Sequence, residues 1–490
     1  MPDDHHATMD SLIDRLRATA RQHRLELYIV GGVVRDRLLG RQRVTLNLDL
    51  AIPSKALEAG RALAQQLGGT YIALHEEAPT SRIVLPGEGH IELDLADFRG
   101  PTIEADLSRR DFTINAMAVR LEDWTPGREW ERAILDPTKG RADLQAKRLR
   151  PCFPDTFTDD PLRILRAFRF AAELDFTLDP STHLLLTAAA PLLRRVSGER
   201  VRDELMALLS TDRAAPNMRR METLRVLDVV LPELVPGRDM DQGNYHHLTV
   251  LNHQLETLAQ CERMFTDFTE FSPEFREPMR AYFSVDVVER RSRKALTKLA
   301  GLLHDVGKPA TRRVKEDGEI WFIGHEHFGS ELVSAVTERL RLSNREQEFI
   351  YLLVLSHLRP GHLSREPQLT PRAIYRFFRD LGDDGAACLL MWWADRLSTR
   401  GSGSRVDQID QQRARLEELF RAYFFKPEEA VRPPKLVDGA QLMQALRLPE
   451  GPQVGALLRA IEEAQVEGRL HTPEDAIAFA RHTLASPPGA

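Results

Sequence analysis

Residues 25–52, LELYIVGGVVRDRLLGRQRVTLNLDLAI, constrain the chain more than any other stretch. The apolar run 27–30 reads as a buried strand. Gly31 and Gly32 follow, and residues 33–39 have a helical pattern with Arg35 and Asp36 near its start. Two glycines between a strand and a helix let backbone N–H groups close on a phosphate, and the helix N-terminus adds partial positive charge. A tight strand–helix turn accounts for the glycines equally well on its own. The next run, 45–52, alternates its faces as a strand does, so Asn47 and Asp49 project to one side. Two oxygen-bearing side chains beside a phosphate cradle suggest a Mg²⁺ site for phosphoryl chemistry.

The combination resembles the GGxVRD and D-x-D signature of the class II tRNA nucleotidyltransferase and bacterial poly(A) polymerase superfamily. The resemblance implies nucleotide contacts at Gly31, Gly32 and Arg35, with Asn47 and Asp49 as catalytic ligands of Mg²⁺. The family carries Asp at both positions of the pair, whereas here the first is Asn47. Its amide oxygen can still ligate a cation, but one negative charge is gone. Metal-dependent nucleotidyl transfer needs a third carboxylate, as general base or to complete the metal shell. Asp94, in HIELDLADFRG (90–100), takes that place because the family's E/D-x-x-x-F-R pattern aligns on it with Phe98 and Arg99. Glu92 and Asp97 rank behind it.

Residues 105–120, ADLSRRDFTINAMAVR, match the superfamily's RRDFTINAMA motif almost letter for letter, with a helix expected from about Thr113. The match implies that Arg110 contacts the nucleotide, Asp111 orders neighbouring backbone and Asn115 hydrogen-bonds sugar or phosphate. A DPTKG turn (136–140) precedes the neck. In TDDPLRILRAFRF (158–170), Pro161 suits a first helical turn with Asp159 and Asp160 at its N-terminal end. Arg163, Arg166 and Arg169 share a broad helix face. The matching EDxxR motif of the nucleotidyltransferases is a protein template for the incoming base. By that resemblance Asp160 and Arg163 read the Watson–Crick edge, while Arg166 reaches the triphosphate and Arg169 joins the nucleotide-binding set.

Half of the 16 histidines crowd between His246 and His362. The order His253, His304-Asp305 in HDVGKP, His325 in GHE, His357 and Asp395 in ADR resembles the HD phosphohydrolase constellation. Imidazoles and carboxylates suit a divalent metal held across a helix bundle. In that superfamily His253, His304, Asp305 and Asp395 hold one metal, and His325 and His357 can hold a second. HD modules appended to nucleotidyltransferases can also serve as scaffold alone.

At 490 residues the chain is long enough for several domains. The expected fold class is α+β: a small nucleotidyltransferase head of mixed sheet and helices (1–140), then all-helical segments. These are a neck and body for nucleotide selection and RNA binding (141–235), an HD domain (236–400), a linker and helix (401–435) and a tRNA-binding tail (436–490). Residues 400–404 read as a flexible connection and SPPGA, at 486–490, as disordered. Three widely spaced cysteines make no ligand pattern and fit a reduced, cytoplasmic compartment. No apolar run is long enough for a membrane span. A net charge of −6 does not advertise a nucleic-acid binder, yet Arg-rich runs at 147–150, 163–169, 194–202, 219–225 and 290–298 could form an RNA-facing stripe.

The resemblance implies attack of a tRNA 3′-OH on the α-phosphate of CTP or ATP. Only GPTIEADLS separates Arg99 from Arg109. That short link resembles the CC-adding subgroup, which lacks the loop that reshapes the pocket for ATP and so needs a separate A-adding enzyme. Complete CCA addition, A addition and poly(A) synthesis stay open. A different class of reading has a degenerate, RNA-binding head while the HD domain hydrolyses phosphates at RNA ends or on nucleotides.

Overall fold

The structure is a computed structural model that describes residues 3–41, 47–75, 78–86, 91–244, 246–399 and 408–485. The expected residues 45–46, 400–404 and 486–490 lie outside the described residues. The chain divides into two compact units, Met1–Val196 and Ser197–Ala490.

The first unit carries a six-stranded sheet in the order β3-β4-β5-β2-β1-β6. Its strands are β1 (Tyr28–Val30), β2 (Asn47–Ile52), β3 (Thr70–His75), β4 (Thr80–Leu85), β5 (Ile91–Asp97) and β6 (Ala118–Arg120). Only β2 and β5 run parallel; the other neighbours are antiparallel. Alternation explains the two faces. Leu48, Leu50, Ile83, Leu93 and Leu95 are buried on one side, where helix α3 (Ala56–Leu67) crosses β4 and β5. The other side carries Asn47, Asp49 and Ala51 along β2. There α4 (Ile103–Ser108) covers the Ala51 end through Ile103 and Leu107, and the Asn47 end is left uncovered by that cluster. The remaining helices of this unit include α1 (Asp3–His23) and α2 (Gly32–Leu38), followed by α5 (Gly140–Gln145), α6 (Thr156–Asp159) and α7 (Arg163–Leu174).

One expected element is different. Instead of a helix from Thr113, Thr113–Asn115 form a single 3₁₀ turn and the chain enters β6. Ile114, Ala116, Met117, Ala118 and Val119 are all buried, and an element buried on every side has no polar stripe to make it an amphipathic helix. Pairing with β1 then decides for strand.

The second unit is helical, with two short two-stranded ribbons. Five helices surround the histidine cluster: Val250–Asp267, Arg293–Leu303, His325–Arg339, Asn344–Ser356 and Gly385–Ser398. Gly439–Leu446, Pro452–Val466 and Pro473–Ala485 share an apolar core of their own around Leu442, Ile461 and Ala476. Glu463 ties that core to helix Pro371–Leu381 by accepting from Arg372, Arg376 and Arg379. No helix among the described residues is long and apolar enough to cross a membrane.

Candidate active site and metal centre

In the first unit, Gly31 has φ 74° and ψ −131°, a conformation that only glycine adopts without strain. A Cβ there would lie 3.3 Å from Asp49 Oδ2 and 3.5 Å from an Arg110 guanidinium nitrogen. The strand–helix turn therefore brings bare backbone against Asp49, and Gly32 opens α2.

Register places the acidic side chains. On the parallel pair, Asn47 stands beside Glu92 and Asp49 beside Asp94. From β4, Arg82 stands opposite Asp94 and donates to both of its carboxylate oxygens at 2.8 Å. The same guanidinium is 3.1 Å from Glu92. Asp97 is engaged elsewhere: its Oδ1 accepts the Ala56 N–H at 2.7 Å, at the start of α3. The oxygen donors facing one another here are of the hard type that Mg²⁺ takes.

The RRD segment is wired to both flanking motifs. Arg110 donates to Asp106 of α4 at 3.0 and 3.1 Å, and Asp106 also accepts the Arg99 N–H. Asp111 accepts the Phe112 N–H at 2.8 Å and the Asn115 amide at 3.3 Å, and takes two bonds from Arg166 of α7 at 2.8 and 3.0 Å. Asn115 in turn accepts from Arg35 at 2.6 Å. Burial pushes the Asp111 carboxyl up, but Arg166 and the two hydrogen-bond donors outweigh it and hold it at about 2. Arg35, Arg166 and Arg169 all lie over the Phe170 ring, at 5.2, 5.2 and 4.2 Å, and Arg169 also bonds Glu173. At the start of α7, Asp160 accepts the Leu162 N–H at 3.2 Å, while Arg163 lies 5.7 Å over Phe153. The Arg-rich runs are partly spoken for: Arg148 and Arg150 bind buried Asp143, and Arg219 binds Glu256.

Arg82, Asp106 and Phe170 were not among the expected site residues. Arg82 sits in an alternating run, TSRIVL, whose register against Asp94 only pairing across the sheet defines.

In the second unit, His253, His304 and Asp395 form one group of potential ligands, and Asp305, His325 and His357 another. Asp305 reaches both. Its Oδ2 is 3.4 Å from His253 Nε2 and 3.1 Å from His304 Nε2, and its Oδ1 is 3.2 Å from His325 Nε2. His304, His325 and His357 each place Nδ1 on a carbonyl, those of Gly301, Phe322 and Val354, at 2.8, 2.7 and 2.6 Å. With the proton on Nδ1, each Nε2 turns a lone pair inward, the arrangement that metal-binding imidazoles use. Among the described residues, buried Nε2 of His253 and of His304 has no hydrogen-bond partner. Lone pairs and carboxylate oxygens converging on one space fit a divalent cation.

Gly307 of HDVGKP has its own reason. A Cβ there would fall 2.2 Å from the His325 carbonyl, so the glycine lets the two ligand segments touch. A cavity of about 700 Å³ opens over the cluster, lined by Lys308, His362, Arg365, Trp392, Arg396 and Gln412 among others. His246 packs edge-on to His253, and burial and nearby Lys308 push it down to about 3.

Residues 27–150 match the model of the poly A polymerase head domain, residues 175–237 that of the probable RNA and SrmB-binding site of polymerase A, and residues 250–381 the HD domain. The chain is 35% identical to an A-adding tRNA nucleotidyltransferase of Deinococcus radiodurans, covering 94% of this chain and 96% of that one. It is 33% identical to a CC-adding tRNA nucleotidyltransferase of Thermus thermophilus, over 93% of each. Among solved structures, a CCA-adding enzyme with ATP superposes with a TM-score of 0.64 at 21% identity, covering 99% of this chain and 96% of the other. A Thermotoga maritima CCA-adding enzyme complexed with tRNA gives 0.60 at 22%, covering 98% and 96%.

Proposed function

The chain belongs to the family of bacterial tRNA nucleotidyltransferases, and we propose that within it this enzyme adds two cytidines to the tRNA 3′ end and stops. The observation that carries the CC choice is α4. The link between Arg99 and Arg109 is a short helix, N-capped by Thr102 and pinned through Asp106 to Arg99 and Arg110. It leaves no free loop to reshape the pocket for ATP. The Thermus relative's name agrees with this reading, the Deinococcus relative's with A addition.

In this reading Asn47, Asp49 and Asp94 hold Mg²⁺, which when bound activates the RNA 3′-OH and neutralises the triphosphate. The chain's own residues supply position and charge. Gly31 and Gly32 let backbone approach the phosphates. Arg110 faces the nucleotide, held by Asp106. Asp160 and Arg163 present hydrogen bonds to the base of CTP, their helix start fixed by the Asp160–Leu162 bond. Arg166, clamped on Asp111, and Arg169 set the basic face of α7, while Arg35 and Asn115 brace the glycine turn against it. An A-adding partner enzyme completes the CCA end.

The test is incubation with Mg²⁺, a tRNA transcript lacking CCA, and labelled CTP, ATP or both, with product length read at single-nucleotide resolution. Arrest after two cytidines is expected. A single adenosine added to tRNA ending in CC, with no CTP use, overturns the CC assignment in favour of A addition.

The converging Nε2 lone pairs and the cationic side chains of Lys308, Arg365 and Arg396 lining the cavity favour a second activity in the HD domain. We assign it as metal-dependent hydrolysis of RNA-end phosphates, such as opening a 2′,3′-cyclic phosphate. His253, His304, Asp305, His325, His357 and Asp395 hold the metal there.

A further inference from the structure

We propose that Glu92 replaces the carboxylate missing at position 47, completing the metal shell of the head, and that Arg82 is the cation holding this shell when no metal is bound. This rests on the nucleotidyltransferase reading of the head.

Three observations carry it. First, Glu92 is the direct parallel-strand neighbour of Asn47, as Asp94 is of Asp49. Adjacent strands lie about 4.8 Å apart, so neighbouring side chains on one face reach a common ion. Second, Arg82 marks that ion's place. One guanidinium bonds Asp94 twice at 2.8 Å and lies 3.1 Å from Glu92, so the two carboxylates converge on one cation-sized volume. Third, charge adds up. Asp49 and Asp94 bring two negative charges beside the neutral Asn47, and Glu92 restores three. Glu92 is also better sheltered than Asp94, its side chain 15% exposed against 30%. Three carboxylates this close repel one another, and Arg82 offsets that repulsion until a metal takes over.

The test uses the full chain and the non-reactive analogue α,β-methylene CTP. Calorimetry reads its affinity as Mg²⁺ is titrated, for wild type, Glu92→Gln, Asn47→Asp, the double variant and Arg82→Gln. The Glu92→Gln enzyme should need about tenfold more Mg²⁺ for half-maximal binding. Adding Asn47→Asp to it should restore the wild-type requirement, which a misfolded protein could not do. The Arg82→Gln enzyme should need less Mg²⁺ than wild type. An unchanged Mg²⁺ requirement in Glu92→Gln, or no rescue by Asn47→Asp, overturns the inference while leaving the transferase reading intact. A wild-type chain that binds the analogue at no Mg²⁺ concentration overturns the transferase reading and this inference with it.

Discussion

Asp111 is the residue on which the head's chemistry and its stability meet. It joins Arg166, Asn115 and the Phe112 backbone, and through Asn115 it reaches Arg35 of the glycine-turn helix. Its carboxyl is held at about 2, below the usual 3.8. A depressed acid stabilises the fold above its unfolded value and loses that contribution as pH falls through its folded value. The shift corresponds to about 2 kcal/mol. Asp111→Asn should therefore be less stable than wild type by roughly that amount at pH 7. The deficit should shrink between pH 4 and pH 2, as urea titrations of both proteins would measure. Gly31→Ala is the backbone counterpart. Its strained φ and the 3.3 Å approach to Asp49 should cost about 1–3 kcal/mol. Nucleotide addition should fall with it, which single-turnover kinetics and a thermal melt would show together. The glycine pair was readable as a backbone-approach site. That Asp49 is what the backbone approaches was not, because the two lie on different elements.

At the scale of elements, the proposed nucleotide choice rests on α4. It is only six residues long, too short to persist without tertiary support. Buried Asp106 supplies that support at one end and Thr102 caps the other. Asp106→Ala would strand the Arg110 guanidinium and free the link, at about 2–3 kcal/mol. The expected outcome is a higher KM for CTP and some adenosine incorporation on tRNA ending in CC, read on a sequencing gel. The sequence showed the brevity of this link. It could not show that the link is ordered, since the donors to Asp106, Arg99 and Arg110, lie on both sides of it. The Thr113 segment taught the opposite lesson: its apolar run is a 3₁₀ turn and strand because pairing with β1 overrides local helical pattern.

At the scale of the molecule, the two proposed chemistries are partitioned. Every expected head ligand and nucleotide contact falls within Met1–Val196, and every HD ligand within Ser197–Ala490. His304→Ala with Asp305→Ala should thus abolish hydrolysis of a cyclic phosphate and leave cytidine addition unchanged. Loss of addition as well would show the sites to be coupled. Divalent metal should also raise the unfolding temperature of wild type through the HD cluster, because a ligand bound only to the folded state stabilises it by mass action. His253→Ala should remove most of that rise in a calorimetric melt.

The motifs were written in the sequence because each is local: the glycine pair, the RRDFTINAMA run, the HDVGKP turn and the spacing of Arg163, Arg166 and Arg169 depend on neighbours along the chain. Asn47 was equally plain as a missing charge. The tertiary structure alone decided what surrounds them. Strand register set Glu92 beside Asn47 and Arg82 across from Asp94, and Asp305 became the link between two ligand groups contributed by five segments. Such partners lie on separate elements, and only burial and hydrogen-bond pairing across elements bring them together.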